Sequence, residues 1–318
     1  MSRRVLVTGG AGFLGSHVAA TLVARPDVAL VVAGDVRRPQ HPIEGVVYDD
    51  CDVTRPEGLA SLMRRHDIDV VVHLAAIVNP GRDHAAEYRV DVDGSRHVLE
   101  ACVEAGVKRI VVSSSGAAYG YHADSPEWLR ESDPVRGNDE FPYARHKRLV
   151  EELLAGYRGA HPELEQVVFR IGTILGPTVQ NQITALWDGR ALLAVRGSES
   201  PFVFVWVDDV AAAMARAATD GPPGIYNVAG DGRVTVREIA RRLGKPVITV
   251  PAGLLGFGLR AGRALRLTVH GPEQVGFLRY RPVLANASLK ADFGFIPSKT
   301  SAEAFEAYLA THPGVARR

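Results

Sequence analysis

Two cysteines in 318 residues, Cys51 and Cys102, form no CxxC pair and no disulfide framework. Reduced thiols and a cytoplasmic setting are the expectation. No apolar run approaches the ~20 residues that span a bilayer. The N-terminal stretch MSRRVLVTGG reaches glycine too soon to be a signal-peptide core, so neither secretion nor a membrane is expected. An excess of either charge is also missing, with 37 Lys and Arg against 36 Asp and Glu. A net charge of +1 offers nothing for nucleic acid to hold. No histidine or cysteine grouping has metal-ligand spacing, so no metal site is expected, and no internal repeat stands out. What remains is an ordinary globular composition, 46% hydrophobic and 23% charged, with length for one or two domains.

The first half alternates short β-branched runs with longer amphipathic stretches. RVLV (4–7), ALVVAGD (29–35), VVVHLAA (70–76), RIVVSSS (109–115) and QVVFRIG (166–172) read as strands. Segments 13–24, 55–65, 87–106 and the stretch following Tyr143 read as helices. Continuous apolar strands separated by helices imply an α/β fold, a doubly wound parallel Rossmann sheet with ligands at the carboxyl ends of its strands. After about residue 175 the pieces shorten. FVFVWVDDVAAAMARAA (202–218) gives a strand and a helix, and GIYNVAG (224–230) another strand. The expected organisation is a dinucleotide-binding domain over 1–175, joined by 203–230 returning to its sheet, and a smaller C-terminal substrate-binding domain over 176–318. Segment 251–269, PAGLLGFGLRAGRALRLTV, is apolar with interspersed arginines. A helix covering the substrate pocket is favoured there over a membrane contact.

TGGAGFLG (8–15) sits between the first strand and the first helix, with Gly9, Gly12 and Gly15 in G-x-x-G-x-x-G spacing. Glycine lets the backbone turn tightly and approach a pyrophosphate, which the free N–H groups of the helix start at Phe13 and Leu14 then receive. Asp35 ends the second strand, 20 residues after Gly15. A carboxylate there accepts from ribose hydroxyls and repels a 2′-phosphate, favouring NAD over NADP. Arg37 and Arg38 follow and soften that preference or are plain surface charges. Asp52 and Val53 come where an adenine would rest; a solvated loop aspartate is the alternative. Leu74, Ala75 and Ala76 are small enough to line the cofactor cleft, with His73 as a packed strand residue. Tyr143 and Lys147 in YARHK are one helical turn apart and share a face.

TGxxGxxG, an acidic second-strand end, HLAA, SSSGAAYG and YxxxK occur in that order. With VDDVAAAMARA and IYNVAG after them, most of the chain resembles the extended short-chain dehydrogenase/reductases, the family of nucleotide-sugar epimerases and dehydratases. The resemblance implies NAD as cofactor, contacted also by Ser113, Tyr143, Lys147 and Ile171. It implies Ser115 as the residue that holds the reacting hydroxyl, Tyr143 as acid/base and Lys147 as its helper. A free tyrosine has a pKa near 10, and a nearby lysine cation lowers it. It implies a homodimer through helices at about 84–105 and 143–158. Glu131 falls in the active-site loop or is a surface charge.

Three departures stand out. Asp91 replaces the asparagine of the family's N-V-x-G-T pattern and cannot donate as an amide does. Ser115-Gly116-Ala117 replaces the Thr-Asp-Glu of the dehydratases, which argues against dehydration. Phe202 takes the place of a diphosphate-binding arginine, and Trp206 that of a common histidine. Arg190, Arg196, Arg279 and Arg281 are substitutes for the missing charge, with Arg279, Arg281, Ser115 and Thr173 expected at the substrate. The readings are an epimerase, a dehydrogenase or reductase on a less charged or sterol-like alcohol, and an idle NAD-binding regulator. The intact Tyr143–Lys147 pair argues against the last.

Overall fold

The structure is a computed structural model that describes residues 2–78, 81, 83–265, 268 and 271–316. The first half runs β1 (Arg3–Thr8), α1 (Phe13–Val23), β2 (Val28–Asp35), β3 (Val46–Asp50), α2 (Leu59–Arg65) and β4 (Val70–His73). It continues with α3 (His84–Tyr88), a π-helical turn (Arg89–Asp93), α4 (Gly94–Ala105), β5 (Arg109–Ser115) and a tight 3-10 turn (Gly116–Tyr119). Then come α5 (Pro142–Ala160), β6 (Glu165–Ile171), β7 (Thr173–Leu175), α6 (Gln182–Ala185), β8 (Leu192–Val195) and β9 (Phe204–Trp206). The chain ends with α7 (Val207–Thr219), β10 (Gly224–Val228), α8 (Val236–Leu243), β11 (Val247–Val250), α9 (Ala252–Ala264), α10 (Gln274–Arg279), α11 (Ala287–Ala291) and α12 (Ser301–Thr311).

Seven strands form one parallel sheet in the order β10-β6-β5-β4-β1-β2-β3. The order reverses between β1 and β4, which opens the crevice where doubly wound sheets bind ligands. Both faces are covered. Val5 and Val7 of β1 join Val18 and Leu22 of α1 and Val210 and Met214 of α7 on one side. Leu6, one residue out of phase, joins Val98, Leu99 and Cys102 of α4 and Val150 and Leu154 of α5 on the other. The two-residue side-chain period feeds two separate cores from one strand, and this produces the unbroken apolar runs. Both cysteines are free and buried, and burial pushes the Cys51 thiol up to about 12.

Of 203–230, β10 joins the main sheet beside β6, while β9 pairs with β7 in a separate two-stranded sheet. A second small sheet pairs β8 with β11. Trp187, Phe204 and Phe305 fill the core of this part, with their rings at steep angles or stacked. No helix among the described residues is long and apolar enough to cross a membrane. Of segment 251–269, residues 266, 267 and 269 lie outside the described residues.

Candidate active site

The β1–α1 turn is shaped by its glycines. Gly9 has φ of +71°, and a Cβ there would meet the Ala75 nitrogen at 2.8 Å. A Cβ on Gly15 would lie 2.2 Å from the Gly9 carbonyl oxygen, so the helix start presses directly on the turn. Gly12 is the N-cap of α1 and supplies no side-chain cap. The first N–H groups of the helix, at Phe13, Leu14 and Gly15, are therefore left for an anion. This cradle fits the pyrophosphate of a dinucleotide.

Asp35 closes the cradle from β2. Its Oδ2 accepts from Ala11 N at 3.1 Å and its Oδ1 from Arg37 N at 3.0 Å. The Arg37 side chain is 73% exposed and stays 3.7 Å from the carboxylate. Asp52 caps its own turn, accepting from Thr54 N and Thr54 Oγ1, and the Thr54 bonds hold its carboxyl below the usual range. Val53 turns its side chain into the core beneath Gly94, and its carbonyl oxygen lies 2.9 Å from His97 Nδ1. Leu74 and Ala75 donate their N–H groups to Thr8 across the switch point. His73 is locked between Thr8 Oγ1 at 2.8 Å and Ser95 Oγ at 3.0 Å. Burial, helped by the Lys147 charge, lowers its pKa to about 4, so it is neutral.

Ser115 ends β5, directly beside Ile171 of β6 in the register, and its Oγ accepts from Ala117 N at 3.1 Å. Pro142 starts α5 at the first helical position, where its fixed φ suits the helix, and this puts Tyr143 in the first turn. Lys147 follows one turn on, its Nζ 5.7 Å from the Tyr143 ring centroid and donating to Ser113 O at 2.8 Å. A buried tie sets strand against helix: Ser114 Oγ donates to Glu151 Oε1 at 2.5 Å, and Arg170 grips the same carboxylate at 2.6 Å. Ser113, Ser115, Tyr143, Lys147 and Ile171 are thus gathered at the carboxyl end of β5.

Thr173 lies just beyond, where its N–H donates to Val203 O at 3.0 Å. The wall over Tyr143 is aromatic. Phe277 of α10 stacks on Phe141 with centroids 5.4 Å apart and meets Tyr121 edge-on at 5.2 Å. Arg281 is held between Phe202 at 3.9 Å and Phe277 at 4.3 Å. Burial lowers its pKa to about 9. Its Nε has no hydrogen-bond partner, and no carboxylate pairs with it among the described residues. Arg279 stacks on Tyr280 at 4.8 Å, its Nε likewise unpartnered. Arg190 and Arg196 are exposed. Glu131 is not a free surface charge; its Oε1 accepts from Asn227 N at 2.7 Å and anchors its loop to β10.

Sequence reasoning missed His146, Tyr121 and Phe277. His146 Nδ1 sits 2.9 Å from Asp91 Oδ2, while Asp91 Oδ1 accepts from Ile77 N at 2.8 Å. Asp91 lies in the π-helical turn, a widening often found at functional sites. Its replacement of the family's asparagine was the available signal. A buried cavity of about 10 Å³, the room of a single water, lies among His73, Asp91, Ser95, Ser113 and Lys147.

Known proteins resemble this chain over much of its length. The UDP-glucose 4-epimerase of Thermus thermophilus, solved with NAD, superposes with a TM-score of 0.76 at 28% identity, over 98% of this chain and 99% of that one. An uncharacterized protein of Mycobacterium tuberculosis is 26% identical over 96% of this chain and 82% of its own length. A UDP-glucose 4-epimerase of Azospirillum brasilense is 35% identical over 55% of this chain and 50% of that enzyme. The model of the NAD dependent epimerase/dehydratase family matches residues 5–229, and the chain belongs to that family of enzymes.

Proposed function

We propose that the chain is an NAD-using nucleotide-sugar epimerase, which oxidises a secondary alcohol carbon to a ketone and reduces it again from the other face. The observation that carries this is the convergence of Ser115, Tyr143 and Lys147 across the switch point from the glycine cradle. Gly9, Gly12 and Gly15 hold the pyrophosphate, Asp35 the adenosine ribose, and Leu74, Ala75 and Ala76 the cleft wall. When bound, NAD supplies the carrier that accepts a hydride and gives it back. Ser115 fixes the substrate hydroxyl. Tyr143 takes its proton as a phenolate and returns it after the ketone has turned over. Lys147 stabilises that phenolate by its charge. Arg281, a guanidinium without an acidic partner, receives a phosphate of the substrate, with Arg279 beside it and Thr173 at the sugar.

A dehydrogenase acting on a less charged alcohol is the second reading, favoured by the rings of Phe202, Phe277, Phe141 and Tyr121. One experiment separates the two. UDP-glucose and UDP-galactose are incubated with the protein and followed by NMR, with reduced cofactor monitored by absorbance. Interconversion without net NADH, with the KM of Arg281→Ala raised about tenfold or more and kcat little changed, supports the epimerase. Inert nucleotide sugars, with net NADH formed from uncharged alcohols, support the dehydrogenase.

The working unit on this reading is a homodimer. An open groove of about 460 Å³ runs along α4 and α5, with Tyr88, Val92, Leu149, Leu153 and Tyr157 in its lining. A second copy laying the same two helices into it forms a four-helix contact. Light scattering that found only 34.2 kDa particles would refute the dimer.

A further inference from the structure

Among the described residues, helix α9 differs from every other long helix. None of its residues is buried, although it carries the apolar sequence AGLLGFGLRAGRA. Leu254 is 63% exposed, Phe257 71% and Leu265, at the helix end, 69%. Their spacing, with Ala261 between, places them on one stripe of the helix. A Cβ on Gly256, on the opposite side, would lie 3.8 Å from Val275 of α10, so the stripe points away from the body. Arg260 borders the stripe and is exposed. Arg263 lies on the α10 side of the helix, opposite the stripe, and pairs with Glu273 at 3.4 Å. Charge is locally one-sided. Residues 239–272 carry six Lys and Arg and no Asp or Glu, in a chain whose totals are 37 and 36. Four glycines in thirteen residues weaken the helix on its own.

An outward apolar stripe with an exposed arginine at its edge, on a helix that takes nothing from the core, is the pattern of an interfacial helix. We propose that α9 docks the protein on the surface of an anionic phospholipid bilayer, with Leu254, Phe257 and Leu265 in the acyl boundary and Arg260 among the headgroups. The sequence favoured a cover for the substrate pocket in this segment; the outward apolar side chains point to a membrane instead. Positive charge in a stretch without carboxylates selects anionic lipid over an apolar protein partner. The helix rests on α10, whose Phe277 lines the wall over Tyr143, so docking puts the substrate entrance near the bilayer.

The test is flotation of the whole protein with vesicles of phosphatidylcholine, alone and with about one-third phosphatidylglycerol. The wild type is expected to float with the anionic vesicles, to stay behind with pure phosphatidylcholine, and to be released by salt. Leu254→Ser with Phe257→Ser lowers the partition by at least about tenfold. Arg260→Gln lowers it about fivefold. These exposed positions leave the melting temperature unchanged, so loss of fold is excluded by the same samples. Wild-type protein that stays behind with both vesicles overturns the proposal. So does an apolar double variant that still floats, or a stripe whose removal only abolishes self-association in solution.

Discussion

Asp91 Oδ2 and His146 Nδ1 lie 2.9 Å apart in the core, one residue ahead of Lys147. With Ile77 N on its other oxygen, Asp91 ties the loop after β4 to helix α5. The carboxylate accepts on both sides, which the family's asparagine cannot do with its single carbonyl. Asp91→Ala orphans two buried groups, at about 1–3 kcal/mol each, and is expected to destabilise the protein strongly in urea. Asp91→Asn keeps one acceptor and loses less. An Asp91→Ala variant within about 0.5 kcal/mol of wild type would show that the pair holds nothing together.

The glycines of the first turn are expected to fail in different ways. Gly15→Ala drives a methyl to 2.2 Å from the Gly9 carbonyl, so it should lower the melting temperature and NAD binding together. Gly12→Ala meets the same carbonyl at 3.1 Å, an approach the turn absorbs, and no other atom lies within 4 Å, so its methyl stands in the open space of the turn. It should weaken NAD binding about tenfold or more with little change in melting temperature. Titration and melting of both variants check this, and equal behaviour would contradict it.

His73 makes stability depend on acid. Its folded pKa is about 4 against an ordinary 6.5, so its contribution is complete above pH 6.5 and is lost as pH falls toward 4. From pH 7 to 4.5 this amounts to about 2–3 kcal/mol. Urea unfolding at the two pH values should show the wild type losing that much more than His73→Gln. Parallel losses would mean that the ring is not buried neutral.

Removal of the Tyr143 hydroxyl should abolish the acid/base step alone. Tyr143→Phe is expected to lower kcat by about 10²–10⁴ while leaving NAD binding within a fewfold of wild type. Turnover near the wild-type rate would assign the base elsewhere.

The parallel sheet was legible because its strands are buried on both faces, which writes runs such as Val70–Val72 directly into the sequence. The glycine turn was legible because close approach leaves no alternative residue at Gly15. The Asp91–His146 contact was not, since it spans 55 positions and depends on a π-helical turn that leaves no periodicity. The three-residue strands β7 and β9 are too short to show which sheet they join. The stacking of Arg281 between Phe202 and Phe277 joins residues nearly 80 positions apart, and no local pattern encodes it.

The most direct measurement is of what the purified protein already holds. The protein is denatured, and released NAD, NADH and NADP are quantified by chromatography. An enzyme that must return its own hydride gains nothing by releasing the carrier, so near-stoichiometric NAD is the expected result. Empty protein that binds NAD only weakly would contradict the epimerase and favour a dehydrogenase. NADP in its place would mean that Arg37 and Arg38 override Asp35.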